Sequence, residues 1–168
     1  MWVGSGRAQA APDAKAAYEV AKATAEANFK AALARCKLIA GNPHKLCVAE
    51  ARAARVRTEE EAAAAYKNTL SAYTQARMRI ASANHDRDKV RCAAVTGNDR
   101  DVCLKQAKAT LIAAQADARA DRKSIEARMD AREDKLAAEY RVAIEKCDAY
   151  AGAVKDQCVG TARTAFGK

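Results

Sequence analysis

The chain has 168 residues and a formal net charge of +9, and half of its residues are apolar. Alanine alone accounts for 45 residues, whereas only eight are Phe, Trp or Tyr, so a thick core of large side chains is excluded. No segment reaches the roughly 20 consecutive apolar residues that a transmembrane helix needs. Alanine is the strongest helix former, and the abundant Lys, Arg, Glu, Gln and Leu follow closely. With only two prolines and seven glycines, the composition predicts an all-α protein.

The N-terminal residues differ from the rest of the chain. Ala8-Gln9-Ala10 before Ala11-Pro12 has the small side chains of a signal-peptidase site, but residues 1–7 contain no apolar h-region. We expect residues 1–11 to be a signal remnant or an artificial tail. Residues 12–168 are then predicted to form a single elongated α-helical repeat domain.

The six cysteines form three pairs with one spacing. The members of a pair are 11 positions apart, and successive pairs recur after 55 or 56 residues. The pairs are Cys36 and Cys47, Cys92 and Cys103, and Cys147 and Cys158. This spacing predicts three repeats of one helical hairpin, each cross-linked by one disulfide.

Each predicted hairpin has turn residues between its two cysteines. Glycine suits the left-handed position after a helix end, and asparagine is a favoured N-cap for the next helix. Turns are therefore expected near 41–42, 97–98 and 152–153. Their residues are Gly41, Asn42, Gly97, Asn98 and Gly152. Faces rich in alanine allow two helices to approach until the cysteine Cα atoms are the roughly 4.4–6.8 Å apart that a disulfide requires.

The segments between the turns contain no helix breaker. Residues 44–96 and 98–151 lack both Gly and Pro, which predicts two long helices over 42–96 and 98–151, flanked by shorter ones over about 13–40 and 153–166. Long antiparallel, coiled-coil-like helices are favoured. A break in the polar stretches 82–86 or 121–135 would instead give a compact bundle. Antiparallel pairing about the turns predicts five contacts: Leu70 with Ile125, Tyr66 with Met129, Glu26 with Arg57, Lys22 with Glu61, and Tyr140 with Phe166.

A zinc site is the alternative use of the cysteines. His44 lies three residues before Cys47, but the second hairpin has only the distant His85 and the third has no histidine. Zinc takes about four N or S ligands, so disulfides are favoured, and no metal, cofactor or catalytic residue is predicted. Because disulfides persist outside the reducing cytosol, we expect a periplasmic or secreted protein.

The repeated pattern resembles a group of known proteins. Cys36…Gly41-Asn42…Cys47-Val48-Ala49-Glu50-Ala51 and Cys92…Gly97-Asn98…Cys103 are similar to segments of alanine- and lysine-rich periplasmic helical proteins of proteobacteria, often labelled TolA-like. The resemblance implies a helical envelope protein. It carries over no catalytic residue.

No catalytic motif is present: the chain contains no H-E-x-x-H, no C-x-x-C and no Gly-rich phosphate loop. We expect a non-enzymatic structural or interaction protein of the bacterial cell envelope, whose partner is another copy of itself or another envelope protein. One alternative is a basic module that binds nucleic acid, an acidic polymer or an anionic lipid surface, because net positive charge favours anionic partners. The other is a carrier of a metal or small ligand between its helices.

Overall fold

A computed structural model describes residues 10–168, with side chains from residue 13 onward. Five helices follow one another: α1 (Ala10–Cys36), α2 (Gly41–Lys67), α3 (Leu70–Cys92), α4 (Gly97–Cys147) and α5 (Gly152–Phe166). The described residues include no strand, so the all-α prediction is confirmed. None of the helices in this part of the chain is long and apolar enough to cross a bilayer. The predicted tail over 1–11 lies, up to residue 9, outside the described residues.

The chain forms two compact units, Met1–Arg122 and Lys123–Lys168. The first contains α1, α2, α3 and the beginning of α4, and the second contains the rest of α4 and α5. In the first unit α2 packs between α1 and α3. In the second unit α4 and α5 form one hairpin, closed by the Cys147–Cys158 disulfide.

The predicted continuous helix over 42–96 is wrong, because the chain reverses at Asn68 and Thr69. Asn68 adopts a left-handed conformation with φ 46°, and its N–H bonds the carbonyl of Ala64 at the end of α2. Thr69 then caps α3, since its hydroxyl accepts a hydrogen bond of 3.1 Å from the N–H of Ala72. Asparagine tolerates the left-handed region better than other residues with a side chain, so the reversal needs neither Gly nor Pro. The stretches 82–86 and 121–135 are helical throughout.

The three disulfide-bonded turns lie slightly upstream of their predicted positions. Each preceding helix ends at the first cysteine of a pair and the next begins at the glycine, so the connections are residues 37–40, 93–96 and 148–151. Gly41, Gly97 and Gly152 do have positive φ, between 57° and 69°, but each is the first residue of the following helix. Asn42 does not cap α2, because its side-chain amide donates instead to the carbonyl of Ala93, at 3.2 Å.

Among the predicted contacts, the structure confirms the one made by Tyr140 and changes those made by Glu26 and Tyr66. Tyr140 lies against Phe166, with ring centroids 5.8 Å apart. Glu26 pairs with Arg55, at 3.0 Å, rather than with Arg57. Tyr66 stacks on Tyr18, with ring centroids 5.2 Å apart, because α2 runs back along α1 from the first cross-linked turn.

The buried residues of the described chain are small. Apart from Thr74, they are all alanine or cysteine, namely Ala25, Cys36, Ala51, Ala53, Ala64, Ala76, Ala81, Cys92, Ala107, Ala118, Cys147 and Ala162. Small contact residues allow close helix approach. They also bury little apolar area, so cross-links contribute more to stability than in a protein with a large core.

Candidate interaction surfaces

The six cysteines pair as their spacing predicts. In each hairpin the Cα atoms of the two cysteines are 5.6 Å apart, within the range for unstrained disulfides. The first cysteine of each pair is fully buried and the second is half-buried. All six sulfurs are therefore cross-links, and the thiolates that a zinc site would need are already bonded. Within residues 13–168 no group of three or more His, Cys, Asp or Glu side chains is arranged to hold a metal.

The turns present apolar side chains to solvent. Leu38, in the first turn, is 87% exposed, and Ile39, Val95 and Tyr150 are also exposed. The hydrogen bond from Asn42 to the carbonyl of Ala93 joins the first turn to the second. One end of the first unit therefore displays Leu38, Ile39 and Val95 together.

The larger apolar side chains elsewhere are also mainly on the outside. Exposed Val, Leu, Ile, Met and Tyr residues occur on every described helix or its adjoining turn. The additional exposed residues are Val20, Tyr66, Tyr73, Val102, Ile112, Ile125, Met129, Leu136, Val142 and Val154. The distribution is the reverse of a globular core, in which such residues are most often buried.

The positive charge belongs almost entirely to the first unit. Its sequence has 21 Lys and Arg residues against 13 Asp and Glu, whereas the second unit has nine against eight. Some of this charge is neutralised within the unit. Arg55 lies 2.7 Å from Glu59 and 3.0 Å from Glu26, with its guanidinium over the ring of Phe29. The hydrogen bond with Glu59 is the main cause that raises the pKa of Arg55.

A shallow groove between α2 and α3 combines cationic and apolar side chains. Its walls include His44, Lys45, Val48, Arg52, Val56, Asp86, Arg87 and Val90. Asp86 already pairs with Lys89, at 2.7 Å, and Arg87 bonds Asp88 and Asn84. His44, weighed above as a zinc ligand, is thus one wall of a groove. His85 is also half-buried, with an Nδ1 atom that has no hydrogen-bond partner among the described residues.

A second groove, of about 930 Å³, lies along one side of the α4/α5 hairpin in the second unit. Val142 of α4 and Val154 of α5 stand on its walls, 56% and 57% exposed, with Tyr150 at its turn end. None of these residues was predicted from the sequence. The available signal on α4 was the recurrence of side chains at 139, 142 and 146, three and four residues apart, which places them on one side of that helix.

The two charged groups at the third turn form an ion pair. Lys155, in the first turn of α5, lies 2.7 Å from Asp148, and the hydrogen bond with this carboxylate raises the pKa of Lys155. Asn98 and the other predicted turn residues lie on the surface of their hairpins. The turns are therefore structural elements of the hairpins.

Comparison of this chain with models of protein families, with curated proteins and with solved structures finds no match.

Proposed function

We propose that this protein is a non-enzymatic structural or interaction protein of the bacterial cell envelope, periplasmic or secreted, which self-associates through its helical surfaces. The observation that carries the proposal is the distribution of apolar side chains. The buried positions hold Ala and Cys, while larger apolar residues such as Val142 and Leu38 face solvent. Contiguous exposed apolar surface marks interaction sites in soluble proteins.

The compartment follows from the cross-links. Three disulfides fit an oxidising environment. The periplasm is the specific proposal, in agreement with the resemblance to alanine- and lysine-rich envelope proteins. Alkylation of the unreduced protein with iodoacetamide, followed by mass measurement, should add no carbamidomethyl group, whereas reduction beforehand should add six. Free thiols in protein isolated without reductant would contradict the envelope location.

Self-association is tested by sedimentation velocity over a wide range of protein concentration. The sedimentation coefficient should rise with concentration, since association through exposed helix faces follows mass action. Raising the salt concentration separates the electrostatic from the apolar contribution to self-association. Attraction between exposed charges weakens at high ionic strength, whereas apolar contact does not. A single species with monomer mass throughout the range would refute self-association.

Binding of an anionic polymer is the second candidate, and the charge asymmetry between the units favours it. The excess of cationic side chains lies in the first unit, where Arg52 and Lys45 line the α2/α3 groove. Retention on heparin at low salt should fall steeply as salt rises, because such binding releases counterions. The R52E variant should elute at lower salt than wild type, whereas a K168E change in the second unit should have a smaller effect. Absence of retention at low salt would dismiss this candidate.

A further inference from the structure

One side of α4 is exposed in the second unit, and the repeat places an equivalent side on a helix of the first unit. In the first unit that equivalent side is covered by a neighbouring helix. The relevant helix of the first unit is α3, which ends at Cys92 just as α4 ends at Cys147. On α3, Ala83 and Arg87 line the groove with α2, and Arg91 lies 3.8 Å from Glu50 of α2. This side of α3 therefore packs against an antiparallel helix of the neighbouring hairpin.

Counting back from the final cysteine of each helix transfers these positions to α4. Positions 83, 87 and 91 of α3 correspond to Ala138, Val142 and Lys146 of α4. All three line the groove beside α5, and all three are exposed. The arginine at position 87 is replaced by valine at position 142, which makes the exposed side more apolar than its covered equivalent. Part of this groove side is thus the repeat equivalent of a side that α3 uses for packing on α2, and within the second unit only α4, α5 and the turn between them line it.

The charges on this side of α4 are complementary to those on the same side of a second, antiparallel copy. Glu139 and Lys146 both line the groove, seven residues and roughly 10.5 Å apart along the helix at 1.5 Å per residue. They are too far apart to pair with each other, and no salt bridge joins either one to another side chain within residues 13–168. Val142 and Ala143 lie midway between them.

Two copies of α4 placed antiparallel about a twofold axis between Val142 and Ala143 match one another. Glu139 then faces Lys146 of the second copy, and Lys146 faces Glu139 of the second copy. The apolar and small side chains of Val142 and Ala143 meet at the centre. A twofold contact uses the same patch on both molecules, and antiparallel packing repeats the arrangement of α3 against α2.

We propose that the groove side of α4, defined by Ala138, Glu139, Val142 and Lys146, binds the same surface of a second copy of this chain. The result is a twofold dimer of α4/α5 hairpins, held by two reciprocal Glu139–Lys146 pairs around an apolar centre. This inference rests on the self-association proposed above and names the surface responsible for it.

Charge reversal tests the pairing directly, with sedimentation velocity as the measurement. E139K places a second lysine opposite Lys146 of the other copy, and K146E places a second glutamate opposite Glu139. Each variant alone should dimerise about tenfold more weakly than wild type, because two exposed attractive ion pairs become repulsive. An equimolar mixture of E139K and K146E should recover wild-type affinity, since both pairs in the mixed dimer are again opposite in charge.

The matched control is E133K, which makes the same charge change at an exposed position of α4 outside the groove lining, nine residues before Val142 and hence on the opposite side of the helix. It should dimerise as wild type does. Circular dichroism and a thiol count confirm that each variant folds and keeps its disulfides.

The outcomes separate the inference from the proposed function. Weak association of both single variants with recovery in their mixture supports the α4 surface. If E139K and K146E leave the wild-type dimer unchanged, or if E133K weakens it equally, the α4 surface is overturned but self-association stands. Wild-type protein that remains monomeric at every concentration overturns both.

Discussion

Removing the third disulfide tests how far the α4/α5 hairpin depends on its cross-link. In a C147S/C158S variant the loop of 12 residues is no longer closed, which by the chain-entropy relation destabilises the hairpin by about 3 kcal/mol. Few contacts remain to offset this loss, because the buried residues of the second unit are Cys147 and Ala162, supplemented by the ring contact of Tyr140 with Phe166.

Helix α5 should therefore unfold in this variant. It has only 15 residues, with Gly160 in its interior, and isolated helices of about 12–15 residues are marginal in water. Since α5 holds about a tenth of the helical residues, the circular dichroism signal at 222 nm should fall by about a tenth. Hydrogen exchange followed by mass spectrometry should show that the amides of Gly152–Phe166 have lost their protection.

The C92S/C103S variant is the matched control. Its disulfide closes a loop of the same length, so the effect on the unfolded chain is the same. However, α3 also packs on α2. In addition, Arg77 of α3 forms an ion pair with Asp121 of α4, at an N–O distance of 2.6 Å. This variant should lose stability but keep its helix content at 25 °C. The reasoning is refuted if C147S/C158S retains full helix content and a protected α5.

Other substitutions probe the turns and the alanine contacts. T69A should destabilise the protein by about 1 kcal/mol in urea unfolding, because it removes the N-cap bond of α3; an unchanged midpoint would show that the cap is dispensable. A118L should cost about 1–3 kcal/mol by overpacking a buried position, whereas A116L, at an exposed position of the same helix, should be nearly neutral. G97A should destabilise by about 1 kcal/mol because φ is +58° there, although no atom lies within 4 Å of the added methyl group. G160A should stabilise by up to about 1 kcal/mol, since this glycine is helical and equally open; effects of equal sign for the two glycines would contradict this account.

The sequence predicted the repeat and its cross-links because both depend on local spacing. Two cysteines 11 positions apart, with a glycine between them, can meet across a short reversal whatever the rest of the chain does. The turns lie slightly upstream of the prediction because each glycine was taken as the residue after a helix end, whereas it is the first residue of the next helix. The sequence also could not show that the amide of Asn42 bonds the carbonyl of Ala93, because these residues are 51 positions apart and such a contact leaves no local signal.

The candidate surface on α4 was not predicted for a related reason. Val142, Glu139 and Lys146 are ordinary residues of an alanine-rich helix, and no spacing marks them as unpartnered. They are recognised as an interaction surface only by comparison with α3, whose equivalent side is covered by α2. That comparison requires the position of α2, which follows from the reversal at Asn68.

By itself, the sequence determined that this protein is helical, that it consists of three hairpins and that each hairpin has one disulfide. Helix propensity and short loop closure act over a few residues, so composition and spacing are sufficient for these features. Only the tertiary structure decided that residues 42–96 form two helices, which alanines are buried, and which larger apolar side chains remain outside. These features depend on packing between segments distant in sequence, where one left-handed asparagine redirects α2 and α3 and thereby determines which helix faces are covered.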